Sequence, residues 1–191
     1  MRALVVYESM YGNTHTVAER IGEGLADLGD VDVVPVGEAT AERVAAADLV
    51  VVGGPTHIHG MSSKMSRTQA VAEQTLAAEA AKGHEHEVDP DAEGPGLRDW
   101  FDGLHPERTV LAAAFETRLE GSPALTGRAS KGINRRMAHH GFQVVTSPES
   151  FLVDKVSHLL DGEEERAVAW GRQLVSDVAV VAPGSHAARS R

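Results

Sequence analysis

The stretch that decides the fold is Ala3-Leu4-Val5-Val6-Tyr7-Glu8-Ser9-Met10-Tyr11-Gly12-Asn13-Thr14-His15-Thr16, near the amino end of a 191-residue chain. Ala3 to Tyr7 is an unbroken apolar run of strand length, the pattern of a strand buried on both faces. After the short polar run, Val17, Ile21, Leu25 and Leu28 recur at near-helical spacing, and Gly29 is a helix stop. The residues between strand and helix offer the hydroxyls of Ser9, Thr14 and Thr16 and the amide of Asn13. Gly12 lets the backbone turn tightly, and the following helix aims its positive end and its unpaired N–H groups at the same place. The run reads either as an anion cradle built from neutral donors, suited to one terminal phosphate, or as an ordinary turn with an Asn or Thr helix cap.

Absences narrow the ligand. No lysine or arginine occurs between Ala3 and Glu19, so the Gly-Lys-Ser/Thr ending of a triphosphate loop is missing. Only Gly12 stands where a dinucleotide fingerprint needs three glycines. A receiver-type signalling domain needs an acidic cluster after the first strand and an aspartate ending the third. Glu8 is the only acid after the first strand, and the third ends Gly53-Gly54.

Composition excludes further classes. The chain has the length of one domain with a real core, residues 1–180, and Pro183 onward reads as part of a loose tail over 181–191. It has no cysteine, which removes disulfides, thiolate catalysis and cysteine-ligated clusters. A net charge of −10 argues against DNA or RNA and suits encounters with basic protein partners, or simply solubility. No apolar run reaches membrane-span length, and the amino end enters a strand without a charged leader, so no membrane role and a cytoplasmic location are expected.

Further along, Val31–Val36 reads as the second strand, Thr40 as the cap of a short helix through Ala46, and Leu49–Val52 as the third strand. Lys64–Lys82 has helical composition, and Gly83–Gly96 reads as an exposed loop. Leu97–Leu104 reads as a short helix with Trp100 and Phe101 inward. Thr109–Phe115 is a fourth strand, Arg128–His140 a basic helix ended by Gly141, and Phe142–Thr146 a fifth strand. Glu149–Val153 either extends that strand or forms an edge, and Glu163–Val178 is the last helix. Alternating buried strands and helices predict an α/β fold with a doubly wound parallel sheet.

Val5-Val6-Tyr7, Ser9-Met10-Tyr11-Gly12-Asn13-Thr14 and Val17-Ala18 together resemble the phosphate loop of the flavodoxin family, with Tyr11 where threonine is commoner. Val50-Val51-Val52-Gly53-Gly54-Pro55-Thr56-His57 resembles the strand and loop that carry one wall of the family's flavin-ring site. The resemblance implies five strands in the order 2-1-3-4-5 and a non-covalently bound FMN. It also implies an electron carrier between a reductase and an acceptor protein, or alternatively an NAD(P)H:quinone reductase of the same fold. Carried onto this sequence, the cofactor residues would be Ser9, Met10, Tyr11, Gly12, Asn13 and Thr14 at the phosphate. Pro55, Thr56, His57, Ile58, His59 and Gly60 would form one ring wall, with Phe115, Glu116, Thr117 and Arg118 opposite. Loops 8–16, 54–63 and 116–127 would meet beyond the carboxyl ends of the strands.

The chain departs from the family in its ring loops. His57 stands near the usual tryptophan position and can stack or donate a hydrogen bond. Loop 116–127 has neither tyrosine nor tryptophan and brings Arg118, which reads either as a cation stabilising reduced flavin or as a surface residue. His57 and His59 lack a third metal ligand nearby, and His84-Glu85-His86-Glu87 reads as a solvated charge run, so no metal is expected.

Overall fold

A computed structural model describes residues 1–57, 60–61, 89, 94–106 and 108–181. The helix expected over Lys64–Lys82, the His84–Glu87 run, most of the 83–96 loop and the tail from Pro183 lie outside the described residues.

The strands are β1 (Arg2–Tyr7), β2 (Asp30–Pro35), β3 (Leu49–His57), β4 (Gly60–Met61), β5 (Leu111–Leu119), β6 (Gln143–Val144) and β7 (Glu149–Val153). The helices are α1 (Asn13–Gly24), α2 (Ala41–Ala46), α3 (Leu97–Asp102), α4 (Pro123–Thr126), α5 (Ala129–His139) and α6 (Glu163–Val181). The parallel sheet runs β2-β1-β3-β5-β6, with β7 also on β5, and the two-residue β4 turns back antiparallel on β3. This is the doubly wound α/β order expected, with the fifth position divided between two strands. β6 pairs the start of β5 (Leu111↔Gln143) and β7 its end (Phe115↔Glu149 to Leu119↔Val153). Pro148 lies between them and has no N–H to give a ladder, so pairing stops and resumes on the same neighbour. Glu149–Val153 therefore extends the fifth position.

Side-chain alternation along the strands sorts the core into two layers. Leu4 and Val6 of β1 join Val44, Leu97, Phe101, Ile133 and Met137 beneath α2, α3 and α5. Ala3, Val5 and Tyr7 join Val17, Ile21, Leu25, Ala167, Leu174 and Val178 beneath α1 and α6. On this second face the helices touch backbone to backbone. A Cβ at Gly171 would lie 2.5 Å from the Ile21 carbonyl oxygen and 2.9 Å from Gly24 Cα.

The Gly53-Gly54 pair has a packing cause of its own. A Cβ on Gly53 would come within 2.1 Å of the Phe115 ring, and one on Gly54 within 2.8 Å of Leu97 Cδ1. Trp100 is only partly inward and donates its indole N–H to the Ala39 carbonyl, whereas Phe101 is fully buried.

Candidate functional site: the cleft at the carboxyl edge

All four long parallel strands end at one edge, and the loops after them converge there. At the end of β1 the Glu8 N–H still bonds the Gly53 carbonyl (2.9 Å), and the Glu8 carboxylate accepts the Leu97 N–H at the start of α3 (2.8 Å). The chain then turns at Gly12, whose φ of 80° is left-handed and calls for glycine. Helix α1 begins at Asn13 with no side chain capping it and no acid in its first turn. Neither Asn13 nor Thr14 is therefore the cap that an ordinary turn would use. The first-turn N–H groups are left for another acceptor. Earlier in the same loop Ser9 is buried and its Oγ, among the described residues, has no hydrogen-bond partner; neither Ser9 nor Gly12 is among the residues lining the adjoining cleft.

Asn13, Thr14 and His15 hold this loop in place. Asn13 Nδ2 donates to the Ser157 carbonyl (2.6 Å), and Thr14 Oγ1 lies 2.7 Å from Thr117 Oγ1. His15 stacks on Tyr7 with ring centroids 4.4 Å apart, and its Nδ1 faces the buried Asp89 carboxylate at 3.5 Å. Asp89 in turn donates its backbone N–H to the Met10 carbonyl (3.0 Å).

Between these loops lies a cleft of about 160 Å³. It brings together Met10, Tyr11, Asn13 and Thr14 with Pro55 and Thr56 from the end of β3, and Thr117 and Arg118 from the end of β5. Phe115 and Glu116 are placed elsewhere. Phe115 is fully buried in the core on the α1–α6 face, lying further back along β5 than Thr117 and Arg118 at its end. Glu116 is also fully buried and is a structural hub. Its carboxylate accepts from Thr56 Oγ1 (2.6 Å), Ser130 N–H (2.9 Å) and Ser150 Oγ (2.7 Å), tying β3, α5 and β7 to β5. Gly60 sits on β4, half-buried. The His57 side chain, Ile58 and His59 lie outside the described residues.

Arg118 differs from its sequence reading as a free cation or a surface residue. It is 8% exposed, and its Nη1 donates to the Leu119 and Gly121 carbonyls and to Thr126 Oγ1. Nε stands 4.0 Å from Glu116. Its charge faces a buried carboxylate and its head clamps the turn into α4, so it enters the cleft wall as part of a nearly neutral pair.

Leu119 continues the β5 wall, and Val153, Asp154, Lys155 and Ser157 form a fourth wall outside the three loops that the sequence points to. The signal was present in Glu149–Val153, because a parallel strand at the fifth position must deliver its following turn to the same edge. That turn is tight. Asp154 Oδ1 accepts the Val156 and His158 N–H groups at 2.9 Å each, and Ser157 takes a positive φ of 61°. The His158 N–H, above all, holds the Asp154 carboxyl below its ordinary range; desolvation opposes it as the next largest influence, and the Val156 N–H and the His158 side chain add smaller downward contributions.

Residues 5–170 match the family model for flavodoxin. The chain belongs to the flavodoxin family. A flavodoxin of Aquifex aeolicus is 41% identical over 68 residues, a stretch covering 35% of this chain and 37% of that relative. Among solved structures, a flavodoxin from the domain Archaea superposes with a TM-score of 0.59 at 22% identity, covering 93% of this flavodoxin-family chain and 99% of the other. Oxidised flavodoxin 1 from Bacillus cereus gives 0.60 at 16% identity, over 92% and 98%. At such identities the structural likeness speaks for the fold. Among the described residues no helix is long and apolar enough to cross a membrane.

Proposed function

We propose that this chain binds FMN and carries electrons between larger redox proteins. The observation that carries the reading is the unused donor set of the loop that enters α1, whose Met10, Tyr11, Asn13 and Thr14 line the cleft. The first turn of α1 is uncapped and is reached through a left-handed Gly12, and Ser9 Oγ of the same loop is buried without a partner among the described residues. A phosphate monoester satisfies such donors, and no carboxylate in the first turn of α1 opposes it.

Residues 9–14 would hold the phosphate. Pro55, Thr56, Thr117 and Arg118 would flank the ring, together with His57, Ile58, His59 and Gly60 at the turn after β3. Bound FMN would supply the one- and two-electron chemistry, while the chain binds, orients and partly shields it. Tyr11 is the only aromatic side chain among the described cleft-lining residues, so hydroxyl and aliphatic contacts dominate the walls. The acidic charge balance suits docking on basic faces of a reductase and an acceptor in the cytoplasm.

The test is spectroscopic. The purified protein should be yellow, release about one FMN per chain on denaturation, and be reduced only slowly by NAD(P)H alone. Fast reduction without a partner reductase would favour an NAD(P)H:quinone reductase instead. A colourless protein that ignores added FMN would sink both.

A further inference from the structure

The cleft has a cation that sequence order hides, on a turn bonded to the phosphate loop. Residues 3–19 contain no lysine or arginine, yet Lys155 arrives from the turn after β7 and lines the same cleft. It is exposed, and among the described residues no hydrogen bond or ion pair engages its ammonium group.

Its place is fixed by its neighbours. The Ser157 carbonyl is held by Asn13 Nδ2 at 2.6 Å, so the turn rests on the phosphate loop. Asp154 closes the other side, donating its own N–H to the His158 carbonyl at 2.8 Å and accepting the Val156 and His158 N–H groups. Lys155 is two residues from Ser157, a chain distance of at most about 8 Å. A four-carbon stem carrying a rotatable ammonium can cover that gap.

The other charged groups of the wall are committed. Arg118 donates Nη1 to the Leu119 and Gly121 carbonyls and to Thr126, and its Nε faces Glu116 at 4.0 Å. Asp154 turns Oδ1 onto two N–H groups of its own turn, which draws that negative charge away from the phosphate loop. Lys155 is thus the one uncommitted positive charge among the described cleft-lining residues.

We propose that Lys155 makes this site select phosphorylated flavin over riboflavin. It adds a point charge to a cradle whose other donors are neutral backbone and hydroxyl groups, and it belongs to a part of the chain far from the phosphate loop in sequence. The proposal rests on the FMN reading above. An exposed ammonium meeting a phosphate dianion in partly screened surroundings should contribute modestly and depend on salt.

The experiment titrates the flavin-free full chain with FMN and, separately, with riboflavin, following quenching of flavin fluorescence at low and high salt. Lys155→Ala should weaken FMN binding by about 3- to 10-fold at low salt and less at high salt, and leave riboflavin binding unchanged. Lys155→Arg should retain the preference for FMN. The thermal midpoint of the flavin-free variant serves as the folding control and should not move, because the side chain is exposed and unpaired. Equal weakening for both flavins, or no weakening for either, overturns the role of Lys155 while leaving the FMN reading intact. A wild-type chain that binds neither flavin overturns the FMN reading, and the role of Lys155 falls with it.

Discussion

Thr14 Oγ1 and Thr117 Oγ1 lie 2.7 Å apart although 103 positions separate them in the chain. The pair joins the first turn of α1 to the end of β5, so the phosphate loop and the opposite wall of the cleft are one hydrogen-bonded unit. Both threonines are nearly inaccessible to water, at 2% and 5% exposure. Thr117→Val keeps the shape and leaves the Thr14 hydroxyl buried without its partner. A loss of about 1–2 kcal/mol is expected in urea unfolding of the flavin-free chain. Thr14→Val together with Thr117→Val should recover part of it, because neither polar group is then stranded.

Glu116 should tolerate glutamine and reject leucine. A glutamine can turn its carbonyl to the Thr56 hydroxyl and the Ser130 N–H and offer its amine to Ser150 Oγ, whose hydroxyl can accept as readily as donate. The loss is then the charge facing Arg118, roughly 1–2 kcal/mol. Leucine strands the Ser130 N–H and leaves the Arg118 guanidinium without its carboxylate, at about 3–5 kcal/mol. Denaturant midpoints of the two variants measure the contrast, and equal losses would remove Glu116 from the hub.

The sequence carried the frame of this molecule because that frame is written in local patterns. The apolar runs Ala3–Tyr7 and Leu49–Val52, the spacing Val17, Ile21, Leu25 and the glycine at 12 each need only near neighbours to be read. What escaped depends on distant partners. Arg118 reads as a cation at the flavin or as a surface residue because the carbonyls of Leu119 and Gly121 have no sequence signature as acceptors. Phe115 reads as a ring-site residue by family resemblance alone, and its burial in the core depends on packing partners such as Phe151 and Trp170 that lie far along the chain. Lys155 escaped because Pro148 masks the continuity of the fifth strand position.

Gly171→Ala tests the contact of α1 with α6. In an exposed helix interior alanine would stabilise, by about 1 kcal/mol. Here the added Cβ meets the Ile21 carbonyl oxygen at 2.5 Å and Gly24 at 2.9 Å, all backbone atoms that cannot swing aside. Overpacking should win, with a net loss of about 1–3 kcal/mol in thermal or chemical unfolding. A stabilised variant would mean that the two helices can separate without loss.

Asp154 gives the turn beside the cleft an acid limb of known sign. The His158 N–H is the chief cause holding its folded pKa below the ordinary value, which is about 3.9 in an unfolded chain. The folded state therefore binds fewer protons than the unfolded one across that window, and stability rises with pH there. The contribution is fully present above about pH 4–5 and disappears as pH falls through the lower folded value. Asp154→Asn keeps an oxygen for the Val156 and His158 N–H groups but cannot titrate, so its stability should be nearly flat over this limb apart from other carboxylates. The stability difference between wild type and variant should change as pH falls below about 4 in denaturant unfolding, with wild type losing its share. The local sign is independent of global stability: Asn13 side-chain amide resonances in the wild type should move over the same pH range, because Asn13 is bonded to Ser157 of this turn. In Asp154→Asn that movement should vanish; if it persists, another group titrates the turn.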